Sequence, residues 1–390
     1  MRARARSTAI LLAATLAVAA AAGVAFGPAR TAGAEVAGWL PRPAPIARAT
    51  GFDAGSANGA CASCHAEVAD EWRGSMHRQA WTDPVFQKAY AVEPVAFCRG
   101  CHAPEADPNA LPTEVERDVG VACTTCHVDG GHVVGARASM RGEQAHAMRA
   151  EPRMATRAAC ASCHQFDFPG TKGAPMQDTL RENARSSYAD VECQSCHMPV
   201  VVGADGRARR SHSFSVIGND ALLRSAVSVQ AELVGARALE LRLEGARIGH
   251  AFPTGDMFRR LELRARLVGA HGEAKGTARP VHLGRRFGDR ARSGGELAFD
   301  RVPTGDTRVP PPGAGIRRAR LSFDRDASSG DVLHWEVAYQ RMDDAMAASF
   351  GVDAVHDEVV VASGRIDVPS SAATPTAELD DTFTHTPRTP

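Results

Sequence analysis

Every cysteine of this chain belongs to one repeated pattern. The ten cysteines form five Cys-x-x-Cys-His units: Cys61-Ala-Ser-Cys64-His65, Cys98-Arg-Gly-Cys101-His102, Cys123-Thr-Thr-Cys126-His127, Cys160-Ala-Ser-Cys163-His164 and Cys193-Gln-Ser-Cys196-His197. Two thiols one helical turn apart reach the same edge of a porphyrin and add to its vinyl groups. The histidine that follows then lies beneath the metal as its ligand. Zinc sites and redox disulfides also use Cys-x-x-Cys, but neither needs a histidine next. A zinc ribbon joins two pairs on one metal and would leave one of the five unused. Histidine is only 15 of 390 residues, so its place after all five pairs is not chance. The pattern implies five covalently attached haem c groups, with these cysteines as attachment points and His65, His102, His127, His164 and His197 as proximal iron ligands.

Iron held in this way has a position on the opposite face, and other histidines are candidates to fill it. On a continuous helix His77 lies about 18 Å beyond His65, too far to close over its own haem. It reads as a ligand to a neighbouring haem, against the plainer reading of a surface histidine. His132 follows His127 by a short loop that cannot pass around a porphyrin, so it serves an adjacent haem or sits in a turn. His146 falls on a short expected helix. His212 follows His197 across a Gly-Ala-Asp-Gly turn with enough reach to serve a haem. His250 precedes the Phe-Pro-Thr-Gly turn, where it either pins the later chain to the haem region or caps a plain hairpin. Together His77, His132, His146, His212 and His250 would supply five distal ligands for five irons. Met198, directly beside a proximal histidine, reads as packing. His271, His282, His334, His356 and His385 read as surface or strand residues.

The elements that must hold these groups change character near residue 219. Before it, helical segments are expected from Ala66 to His77, with Val68, Trp72 and Met76 on one face, and from Met176 towards Tyr188. Between them lie Pro-rich loops. After it, strict alternation appears in Val227–Leu233, Leu239–Leu243, Leu261–Leu267, Ala319–Phe323 and Leu333–Tyr339, with further strands near Val359 and Ile366. A period of two with one apolar face indicates half-buried antiparallel strands, and about seven of them suggest a β-sandwich. The expected class is α+β and multidomain: a mostly helical and irregular pentahaem domain over 59–218, then an antiparallel β-sandwich-like domain over 219–368. Residues 35–58 read as a linker and 369–390 as a disordered Ser/Thr/Pro-rich tail.

The chain opens with Arg2, Arg4 and Arg6, an apolar run to Phe26 and the small-residue site Ala32-Gly33-Ala34. Residues 1–34 therefore read as a signal peptide, and the protein as periplasmic or otherwise exported. Left uncleaved, the segment would be an N-terminal membrane anchor. The whole chain carries 45 basic and 45 acidic residues; without the leader, 41 basic residues face the same 45 acidic ones. That balance, with no basic cluster among aromatics, argues against nucleic acid as a partner. Aromatic residues are 5% of the chain, low for a large core, and porphyrins would supply the missing flat apolar area.

Several stretches resemble the multihaem cytochromes c related to cytochrome c554. They are Trp72-Arg-Gly-Ser-Met-His77-Arg-Gln-Ala, Cys160-Ala-Ser-Cys-His-Gln-Phe-Asp-Phe-Pro, Cys193-Gln-Ser-Cys-His-Met-Pro and Ser211-His212-Ser-Phe. The resemblance spans roughly residues 58–216, and the Gly249–Gly255 turn is similar to a segment of the β domain that follows the haems in some relatives. It implies distal roles for His77, His132 and His212, and lends some support to His250. Two departures matter. Pentahaem nitrite reductases replace one proximal histidine by lysine, whereas all five units here end in histidine. None of Tyr90, Tyr188 and Tyr339 lies in a motif tied to the cross-linked haem of hydroxylamine-oxidising relatives.

The expected function is electron carriage through closely spaced, mainly bis-histidine haems, with unidentified donor and acceptor proteins as partners. The alternative is a reductase of a small nitrogen or sulfur compound, which requires one iron with an open position. A third reading makes the chain a subunit of a polymeric cytochrome, and hence a homo-oligomer.

Overall fold

The computed structural model describes residues 53–107, 109–168, 173–214, 216–289, 301–352 and 358–369. The leader, most of the linker, nearly all of the tail, His356 and His385 lie outside the described residues. Among those described, no helix is long and apolar enough to cross a membrane.

Each Cys-x-x-Cys-His unit occupies the end, or the whole, of a short helix: Ala54–Cys64, Ala96–His102, Cys123–His127, Ala158–His164 and Cys193–His197. The first begins inside the stretch read as a linker, because Asp53 caps it by accepting from the Ser56 N–H at 2.8 Å. Helices this short are marginal by themselves, and the helices beginning at Ala96 and Cys193 have no side-chain cap bond. The apolar support nearby is thin. Trp72 packs on Val119 and Ala122, while Phe86 and Tyr90 pack on Trp81, Ala103 and Ala106.

Two expected helices are shorter than their periodicity suggests. The helix after the first motif runs only Ala66–Arg73, and turns then carry the chain through His77 to Trp81. Pro175–Asp178 is a strand paired with Gln165–Asp167, so the helix expected from Met176 begins at Thr179 and ends at Ala184. In the second case the strand Gln165–Asp167 captures the backbone that helix propensity alone would have extended.

Beyond residue 226 the chain is antiparallel sheet. One sheet orders Arg301–Asp306, Val281–Asp289, Arg260–Val268, Val332–Gln340 and Val359–Asp367, with Ala274–Thr277 also paired to Arg260–Val268. The other orders Arg317–Ser322, Ala238–Gly245 and Val227–Val234. The register sets Leu261 opposite Tyr339, Leu263 opposite Val337 and Leu267 opposite Leu333 in the first sheet. In the second it sets Leu241 opposite Ala319 and Leu239 opposite Leu321. These side chains from both sheets form one core, in which Leu239, Leu241, Leu243, Leu261 and Leu263 are fully buried. Nine strands are present here among the described residues; the sequence pattern had shown about seven. Ala274–Thr277, Val281–Asp289 and Arg301–Asp306 are rich in glycine or arginine and lack alternation.

Gly364 faces Trp335 across a strand pair, and a Cβ there would fall 2.6 Å from the indole. That close approach requires glycine although its backbone is ordinary strand.

Because the leucine ladder closes the β core, Leu241→Ala should cost about 2–5 kcal/mol. Urea unfolding followed by tryptophan fluorescence would measure this. A loss under about 1 kcal/mol would mean that the core does not depend on the ladder.

Candidate metal centres

Four of the five motif histidines are faced by a second imidazole. Ring centroids are 6.3 Å apart for His65 and His146, 6.4 Å for His164 and His77, 6.1 Å for His127 and His212, and 6.2 Å for His197 and His250. Stacked rings would sit much closer. A first-row metal bound at about 2.0–2.1 Å by one nitrogen of each ring, with each ring centre about 1.1 Å behind its nitrogen, sets centroids about 6.3 Å apart. The residues therefore fit a metal ligated from both sides.

Backbone contacts set the tautomers. The Nδ1 of His127 lies 3.0 Å from the carbonyl of Val134, that of His212 3.1 Å from Arg210 and that of His250 3.0 Å from Ala251. A carbonyl can only accept, so the proton is on Nδ1 and the lone pair of Nε2 is left for a metal. Burial pulls the pKa of His77 to about 3, reinforced by His164, His197 and His212. It pulls His164 and His250 to about 4. The His164 residue is nonetheless exposed, so space is left beside it. Neutral imidazoles around such space, with so thin an apolar core, suit a large flat cofactor.

Each second histidine is held by its own device. His146 caps the helix Met140–Ala145, which starts at Ser139, and is followed by the strand Met148–Ala150 beside His132–Gly135. The hairpin Val200–Val202/Ala208–Arg210 leads into His212, whose N–H donates to Glu71 at 2.7 Å. Arg209 binds the same carboxylate at 2.9 Å and reaches Glu67 at 3.3 Å. Burial would raise the Glu71 pKa, but Arg209 and the His212 N–H outweigh it and hold the carboxyl below its usual range.

The His77 carbonyl accepts from the Val121 N–H at 2.9 Å, and Phe214 lies 4.3 Å from the His77 ring. Gly120 makes this approach possible. Its φ is +54°, and a Cβ would meet the carbonyl oxygens of Arg78 at 2.5 Å and His77 at 2.7 Å.

His250 arrives from the β region and is clamped onto the helix Thr179–Ala184. Asn183 donates to the Gly249 carbonyl at 3.0 Å, and the Ala251 N–H and Thr254 hydroxyl donate to Glu182 at 3.3 and 2.8 Å. Arg308, buried with Glu182, binds it at 2.6 Å and the Pro253 carbonyl at 3.2 Å.

His102 is different. Among the described residues no second imidazole makes a ring contact with it; Phe86 lies flat on its ring, centroids 3.6 Å apart and planes 6° from parallel. Its Nδ1 donates to the Ala80 carbonyl. His132, expected as a distal ligand, is exposed, its Nδ1 is 3.1 Å from the Gly130 carbonyl, and it makes no ring contact with another histidine among the described residues. The physical reason is the tight turn at Gly130 and Gly131, both at positive φ. It folds 132–135 back to pair with 148–150, so the segment positions His146 and leaves its own histidine outside. The set of five distal candidates thus reduces by position to His77, His146, His212 and His250.

Cysteines of different motifs also meet. Cys61 lies beside Cys123, Cys101 beside Cys163 and Cys160 beside Cys193. One thiol of each pair is favoured as the anion: Cys123 lowers Cys61 to about 6, and Cys101 lowers Cys163 to about 7. Burial first, and then the charge of Cys163, pushes Cys126 up to about 12. Thioether formation removes these titrations and leaves the adjacency.

Sequence reasoning missed the supporting residues Glu71, Gly120, Glu182, Asn183 and Arg308. They carry no motif, since each acts through a partner about 40–140 residues away in the chain; only their position in the fold identifies them.

Two outcomes follow for the holoprotein. Glu182→Ala frees the His250 turn, so electron paramagnetic resonance should show one low-spin site converting to high spin; an unchanged spectrum would mean that the clamp does not hold His250. Gly120→Ala should perturb the His77–His164 site alone and lower the melting temperature, by a strain of about 1–2 kcal/mol or more.

Comparison with known proteins agrees with this geometry. The family model described as cytochrome c554 and c-prime matches residues 60–128 and 132–198. No curated protein matches the chain. Among solved structures, a penta-heme cytochrome c552 from Thermochromatium tepidum is similar, with a TM-score of 0.63 and 22% identity over 79% of this chain and 97% of that one. At that identity the likeness speaks for the fold. Five attachment motifs, paired imidazoles and the family match over residues 60–128 and 132–198 together make this part of the chain similar to the multihaem cytochromes c related to cytochrome c554, whose cofactor is haem c and whose general role is electron transfer.

Proposed function

We propose that this chain is an exported electron carrier that holds five haem c groups, four between two imidazoles and one, at His102, with a single imidazole. The observation that carries the reading is the contrast between four histidine pairs at 6.1–6.4 Å and His102, which meets Phe86 instead. Bound haem c supplies an iron that alternates between ferric and ferrous states. The chain's part is to keep the imidazoles neutral, to fix their Nε2 atoms towards the metal and to hold the motifs together. Cysteine contacts set the first motif beside the third, the second beside the fourth and the fourth beside the fifth. Cys126 and Cys163 also interact, which links the third to the fourth. This adjacency supports a relay with the fourth motif as its junction. Two imidazoles per iron favour lower potentials than histidine with methionine.

The same contrast favours a second reading, reduction of a small nitrogen or sulfur compound at the His102 motif. The charges of Asp83, Asp256 and Arg341 act on that histidine, which gives the site a polar setting. The basic and apolar leader supports export, and the mature chain's mixed charge suits protein redox partners over polyanions.

Carbon monoxide titration of the dithionite-reduced holoprotein tests the arrangement. About one equivalent should bind per chain, with one high-spin signal in the oxidised form. No uptake would leave the carrier reading alone and remove the reductase. Several equivalents would show that the imidazole pairs do not close their sites.

A further inference from the structure

The surroundings of His102 are set from the far end of the chain. Arg341, just beyond the strand Val332–Gln340, donates from Nη1 to Asp83 Oδ1 at 2.8 Å and from Nη2 to Asp83 Oδ2 at 2.5 Å. Both side chains are buried, at 10% and 7% exposure. Asp83 caps the helix Pro84–Val92 by accepting from the Phe86 N–H at 2.9 Å, and the Phe86 ring is the one that lies flat on His102. The Asp83 N–H donates to the Gln79 carbonyl at 2.8 Å, which closes the turn that presents the Ala80 carbonyl to His102 Nδ1. One carboxylate therefore joins the stacked ring and the hydrogen-bond acceptor of the imidazole. Met342, next to Arg341, is buried with Val85 and Ala347 and keeps the guanidinium in register.

We propose that Arg341 is a positioning residue for the His102 site, acting through Asp83 to fix the tilt and the Nδ1 hydrogen bond of the imidazole and so its bond to iron. The inference rests on the reading of His102 as the single protein ligand of its haem. The pair also cancels a carboxylate buried near the ring. Loss of the guanidinium leaves that charge uncompensated and frees the turn at Ala80.

The test uses the reduced holoprotein and two readouts specific to this site: the iron–histidine stretching band in resonance Raman spectra and the rate of carbon monoxide release. Arg341→Met should shift the band and change the release rate on the order of tenfold, with the four low-spin signals unchanged. Asp83→Asn, which keeps a good helix cap but loses the ion pair, should shift the band in the same direction. If Arg341→Met does not fold, Asp83→Asn decides by the same readouts. Folded variants with the parental band and release rate would overturn the proposal and reduce the pair to a plain staple. A parent protein with no such band at all would instead remove the single-imidazole reading, and the proposal with it.

Discussion

Two imidazoles held with centroids 6.1–6.4 Å apart, with room for one metal between them, are the interaction on which this molecule depends. A protonated imidazole cannot ligate, so the rings must stay neutral, and burial does this for His77, His164 and His250. The backbone carbonyls then decide which nitrogen keeps its proton. Short helices supply one ring of each pair within a fixed motif; turns, a hairpin and the β region supply the other.

The β region is accordingly more than an appended domain. It sends arginines onto carboxylates of the haem-binding part, Arg308 onto Glu182 and Arg341 onto Asp83, and both contacts are buried. Buried ion pairs contribute little net stability because desolvation offsets most of the attraction, but a mispaired arrangement is costly. Their effect here is register. One pair seats the turn that carries His250, and the other seats the helix start that carries Phe86.

The sequence was most legible where chemistry demands fixed spacing. Cys-x-x-Cys-His can be read anywhere in a chain because the porphyrin edge dictates it, and the alternating strands from Val227 and Leu261 can be read because burial on one face dictates them. Nothing local in the sequence distinguishes His146 or His250 as a histidine that will be carried across the fold. For His132 the resemblance implied a distal role. Only the two glycines before it, by turning the strand back, send it to the surface. The strand Val281–Asp289 was invisible for another reason: glycines and arginines interrupt its apolar alternation, and its pairing partners impose the conformation.

The four imidazole pairs are interleaved along the chain. His65 joins His146, but His77 and His127 lie inside that interval and join His164 and His212 beyond it; His197 in turn lies before His212 and joins His250. Each pairing closes a loop of roughly 50–90 residues, and no loop is complete before the next has opened. A cross-link of that span removes several kcal/mol of freedom from an unfolded chain, about 4–5 by the chain-entropy model for covalent bridges. Metal bound between these rings would braid the polypeptide as well as hold iron. A truncated chain that ended at Met198 would keep every attachment motif and still lack the strands of the braid that close its last two turns.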